Sequence, residues 1–89
     1  MIRLRIYVVD DTRNSTKAIR DLEALLKDRF NGRYSLDIID VLTEPELVEI
    51  DRILATPTVI KVAPGPERRI VGSLGDHDKV IAGLGLANN

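Results

Sequence analysis

With 89 residues, 44% of them apolar, the chain suits one small domain over 1–89, since domains commonly run to about 100–150 residues and a chain this short buries only a modest core. Thirteen Lys and Arg are interspersed with fourteen Asp and Glu, and Tyr7, Phe30 and Tyr34 are the only aromatics, so neither a nucleic-acid field nor a base-stacking platform is expected. The lack of cysteine removes disulfides, thiolate metal sites, cysteine nucleophiles and dithiol exchange together.

No stretch approaches the roughly 20 apolar residues that span a bilayer. Met1 to Arg5 also lacks the apolar core of a signal peptide. A cytoplasmic location is the expectation.

The first strand is predicted from Ile2 to Val9, with Ile2, Leu4, Ile6 and Val8 on one face and Arg3, Arg5 and Tyr7 on the other. A turn at Asp10 to Asn14 precedes a helix from Ser15, in which Ala18, Ile19, Leu22, Leu25, Leu26 and Phe30 recur at helical spacing. Asn14 or Ser15 caps it, and Asn31-Gly32 ends it. A second strand runs from Tyr34 to Val41. Thr43-Glu44-Pro45-Glu46 then has the spacing of a capping box with proline in the first turn, which starts a short helix reaching about Leu54.

Thr58 to Ala63 is β-branched and apolar, Pro64-Gly65-Pro66 breaks it, and Arg68 to Val71 returns beside it as a short strand. Asp76 caps a last helix through Leu84, with Val80, Ile81 and Leu84 inward. Gly83 weakens that helix by about 1 kcal/mol relative to alanine. The order βαβαββα around a four-stranded mixed sheet is the thioredoxin-like α/β arrangement. Pro57 then heads the third strand, the position at which that fold carries a cis proline, so Pro57 is the structural cis-proline candidate.

Three sharper chemical readings do not hold. Val8-Val9-Asp10-Asp11 looks like the acidic strand end of a response-regulator receiver, but only one helix separates it from Asp40 and the chain is too short for that five-stranded fold. His77 between Asp76 and Asp78 reads as a helix-start cluster, because consecutive helical residues do not converge on a metal. The glycines have no phosphate-loop spacing. No cofactor or metal is expected.

From Leu4 to Leu86, without a gap, the chain resembles the KaiB family of circadian-clock proteins. The resemblance is carried by Leu4-Arg5-Ile6-Tyr7-Val8, Thr12 with Asn14-Ser15, Gly32-Arg33-Tyr34, Ile39-Asp40-Val41-Leu42, Asp51-Arg52-Ile53-Leu54-Ala55-Thr56-Pro57-Thr58 and Arg68-Arg69-Ile70-Val71-Gly72. It implies a non-enzymatic regulator that binds the ring-shaped ATPase KaiC and helps to sequester KaiA, competing with the thioredoxin-like sensor domain of a clock-output histidine kinase. It also implies a metamorphic chain: a thioredoxin-like monomer competent to bind, and an alternative tetrameric fold of the C-terminal half.

Lys17, Arg52, Arg68 and Arg69 occupy basic positions of the family and are the candidate partner contacts. The alternative for each is a solvated charge, with Lys17 and Asp21 paired one helical turn apart. Departures from the family pattern fall at Gly72-Ser73-Leu74 and Gly83-Leu84-Gly85, which makes Gly72, Ser73, Gly83 and Gly85 the candidate switch region. The strand-like Thr58 to Val62 and the capped helix at Asp76 favour a monomer resting in the thioredoxin-like state. The competing functional class is a diverged thioredoxin-like sensor or adaptor domain that binds another protein.

Overall fold

The structure, a computed structural model, describes residues 1–9 and 13–86. Its elements are β1 (Ile2–Val8), α1 (Arg13–Phe30), β2 (Tyr34–Asp40), α2 (Pro45–Ile50), β3 (Thr58–Ala63), β4 (Arg68–Val71) and α3 (His77–Leu84). Of the turn predicted over Asp10 to Asn14, residues 10–12 lie outside the described residues, and Arg13 and Asn14 belong to α1 instead. Helix α1 already includes Arg13, Asn14 and Ser15, so neither Asn14 nor Ser15 is its cap.

The sheet order is β2-β1-β3-β4. β1 and β2 run parallel, as a helical crossover requires, and the other two pairings are antiparallel. Strand alternation sends Leu4, Ile6, Val8 and Val59 to one face. There they meet Leu22, Leu25, Leu26 and Phe30 of α1 and Val80 and Leu84 of α3 in the larger core. Tyr7, Ile39 and Ile60 point to the opposite face and form a smaller core with Leu47, Val48 and Ile53 of α2 and its exit.

Helix α3 follows its local signals: the Asp76 carboxylate accepts the Lys79 amide at 3.2 Å. Helix α2 departs from them. The predicted capping box does not form, since α2 is preceded by Glu44 with no side-chain cap and Thr43 Oγ1 donates instead to the Asp40 carbonyl at 3.3 Å. The helix also ends at Ile50 rather than near Leu54, where the half-buried Val48 and Ile53 pack against the sheet and the chain turns inward. Among the described residues no helix is long and apolar enough to cross a membrane.

Candidate partner-binding surface

The Thr56–Pro57 peptide is cis. The loop around it is closed by Thr58 Oγ1 donating to the Ala55 carbonyl at 2.6 Å and by the Gly72 amide donating to the Pro57 carbonyl at 3.0 Å. Pro57 borders two shallow hollows of about 260 and 220 Å³, which share Asn14. Ser15 donates its hydroxyl proton to the Val9 carbonyl. The framework of a redox site is therefore present with no thiol in the chain. His77 is the first residue of α3, and no metal-holding group of three or more His, Asp or Glu occurs among the described residues.

The four candidate contact residues do not form one patch. Arg68 and Arg69 are consecutive on β4 and point to opposite faces. Arg68 lies on the α3 side, where a Cβ on Gly85 would stand 3.0 Å from its Nε and 3.1 Å from its Cδ. Gly85, at φ +62°, ends α3 with its amide on the Ala82 carbonyl and the Leu86 amide on the Ile81 carbonyl. Arg68 thus lies across the negative end of a helix. Gly83 is similarly close-packed, since a Cβ there would overlap Ile70 Cγ2.

Lys17 is on α1 and pairs with Asp21 at 2.7 Å. Its ammonium borders the turn after β4: a Cβ on Gly75 would stand 3.7 Å from Lys17 Nζ, 3.6 Å from Asp21 Oδ2 and 3.8 Å from Ser73 Oγ. Gly72, at φ +104°, makes that turn.

Arg69 reaches the other face, where its guanidinium meets the backbone at the end of α2 next to Arg52. There the Arg52 amide donates to the Glu49 carbonyl at 3.2 Å and the Ile53 amide to the Val48 carbonyl at 3.0 Å. This double bond pattern ends a helix through one left-handed residue, normally glycine. Here that residue is Arg52, at φ +53° and with its side chain exposed. A left-handed backbone costs an L-residue about 1–2 kcal/mol, so Arg52 is held in a conformation its own chemistry disfavours.

Three residues absent from the sequence-based site, Asp51, Arg5 and Tyr7, complete this corner. The Asp51 carboxylate accepts from Arg5 Nη1 at 3.1 Å and from the buried Tyr7 hydroxyl, while its backbone carbonyl accepts Arg69 Nη1 at 2.7 Å. Burial first, and then the adjacent carboxylate, push the Tyr7 phenol from 10.0 up to about 12. The only sequence signal for this cluster is that Arg5 and Tyr7 share a strand face. Nothing local links that face to Asp51.

Comparison with known proteins agrees with this architecture. The KaiB domain profile matches residues 5–86. The circadian clock oscillator protein KaiB of Rippkaea orientalis is 49% identical over 83 residues, covering 93% of this chain and 80% of that protein. The protein of the same name from Trichodesmium erythraeum is 48% identical with the same coverage. Among solved structures, the N-terminal domain of Synechococcus elongatus SasA superposes with a TM-score of 0.76 at 26% identity, covering 91% of this chain and 76% of that one. Chloroplastic thioredoxin z superposes with a TM-score of 0.73 at 25% identity, covering 93% and 76%.

Proposed function

This chain belongs to the KaiB family, and we propose that it is a non-catalytic clock regulator that binds a KaiC-type ring ATPase and modulates its phosphorylation cycle. It acts as a monomer in the thioredoxin-like state, with KaiA as a further partner. The observation that carries this reading is Arg52, an exposed cation kept in a left-handed conformation beside Arg69. Strain of this kind persists where function needs the side chain in place, and a glycine would satisfy the helix end better.

Arg52 and Arg69 form the primary contact in this reading. Lys17 belongs to a second, separate face, and Arg68 acts chiefly on α3. Gly72, Ser73, Gly83 and Gly85 lie where the thioredoxin-like state is held together, at the turn after β4 and along the α3–β4 contact. They are the positions at which a change of state would begin.

The test is binding of the purified protein to a KaiC-type ring ATPase, followed by the ring's phosphorylation time course. Arg52→Glu and Arg69→Glu should each weaken association at least tenfold with an unchanged folded spectrum: Arg52→Glu is a surface charge change that costs only about 0.5 kcal/mol of stability, and Arg69→Glu adds the loss of one hydrogen bond to the Asp51 carbonyl, about 1 kcal/mol. Full affinity in both variants refutes the reading. The likeness to the SasA domain favours a second reading, an adaptor domain for another protein. A pull-down that recovers a different partner and no ring ATPase would select it.

A further inference from the structure

We infer that Asp51 is a positioning residue that presents Arg52 and Arg69 as one preorganised pair; this deepens the ring-binding reading and rests on it. The Asp51 carbonyl belongs to the peptide plane that leads into Arg52. Arg69 Nη1 grips that carbonyl at 2.7 Å, with the Glu67 carboxylate 3.8 Å from its Nη2, so the bond that holds the plane leading into Arg52 also helps to fix the Arg69 guanidinium.

The carboxylate of the same residue is fixed from below by Arg5 Nη1 at 3.1 Å and by the Tyr7 hydroxyl. Tyr7 is fully buried beneath α2, so the anchor has little freedom to move. Asp51 thereby ties β1, the end of α2 and β4 together at one point. The Arg69 guanidinium and the Arg52 backbone are thereby ordered before binding, which lowers the cost of association. The partner surface that fits them is acidic and accepts two cations side by side.

Positioning and plain electrostatics predict opposite signs. Removing the Asp51 carboxylate makes the corner more positive, so an attraction governed by charge alone would tighten on an acidic partner. If Asp51 positions the pair, Asp51→Ala weakens binding about tenfold. Asp51→Asn keeps acceptors for Tyr7 and Arg5 and stays within about threefold of the parent.

The experiment titrates the full chain and each variant onto the purified ring ATPase at two salt concentrations, with urea midpoints measured in parallel. Arg52→Glu serves as the control. Weaker binding by the alanine variant with rescue by asparagine is the expected result. Equal or tighter binding by Asp51→Ala, in a series where Arg52→Glu still loses affinity, overturns the inference and leaves the ring-binding reading intact. If Arg52→Glu and Arg69→Glu both bind normally, that underlying reading fails instead, and this inference with it. Should the alanine variant not fold, Tyr7→Phe loosens the same carboxylate: two- to threefold weaker binding supports the positioning role and unchanged or tighter binding overturns it.

Discussion

Arg52→Gly should make the protein more stable and a worse binder. The chain leaves α2 through Arg52 at φ +53°, and the flanking bonds from the Arg52 and Ile53 amides form as well with glycine as with arginine. Relief of the left-handed backbone returns about 1–2 kcal/mol, while the extra freedom of glycine in the unfolded chain takes back about 0.5–1 kcal/mol. The net gain is about 0.5–1 kcal/mol. For a domain of this size that raises the melting midpoint by about 2–8 °C, given about 4–8 °C per kcal/mol. Urea unfolding followed by far-UV circular dichroism should show a higher midpoint with an unchanged slope. The same sample should bind the ring ATPase about tenfold more weakly. A lower midpoint would refute the claim that Arg52 is strained, and undiminished binding would refute its role as a contact.

Tyr7→Phe keeps the buried ring and deletes the hydroxyl that donates to Asp51. Hydrogen bonds to charged groups contribute about 1.5–3 kcal/mol, and because Arg5 still holds the carboxylate the loss should be about 1–2 kcal/mol at neutral pH. Since the folded-state phenol is raised from 10.0 to about 12, its contribution is intact below the unfolded value of 10 and is lost as pH climbs towards 12. Urea midpoints of the parent should therefore fall over that window, and those of Tyr7→Phe should lack that part of the fall. Gly85→Ala imposes φ +62° on an L-residue and brings a Cβ to 3.0 Å from Arg68 Nε; a loss of at least about 1 kcal/mol is expected, partly relieved in an Arg68→Ala background by a double-mutant cycle. An insulin-reduction assay should show no turnover above the buffer blank at any pH, because the chain has no thiol. Light scattering should report a 9.9 kDa monomer, with helical backbone chemical shifts over His77–Leu84; a tetramer with strand in that segment would reject the proposed resting state.

Where the governing interactions lie within a turn or two of sequence, the chain declares its own structure. The apolar stripe of α1, the alternation of β1, the Asp76 cap of α3 and the break at Pro64-Gly65-Pro66 each reappear in the fold. The resemblance in the run from Asp51 to Thr58 depends on side-chain identities alone, which is why the family is legible without coordinates.

The corner around Asp51 is a different case. Tyr7 and Arg5 reach Asp51 across 44 and 46 residues of sequence, and Arg69 reaches it across 18. Four basic residues that look equivalent in one dimension are divided between two faces of a sheet once β4 pairs with β3, which turns Arg68 towards α3 and Arg69 towards α2. The left-handed turn at Arg52 has no glycine to announce it. It accompanies the packing of the half-buried Val48 and Ile53 against Tyr7, Ile39 and Ile60, whose removal of apolar area from water offsets the backbone strain. Local chemistry determined the elements and the family; only the packing of distant strands against α2 decided which charges stand together, because that choice is made by contacts that do not exist until the sheet has formed.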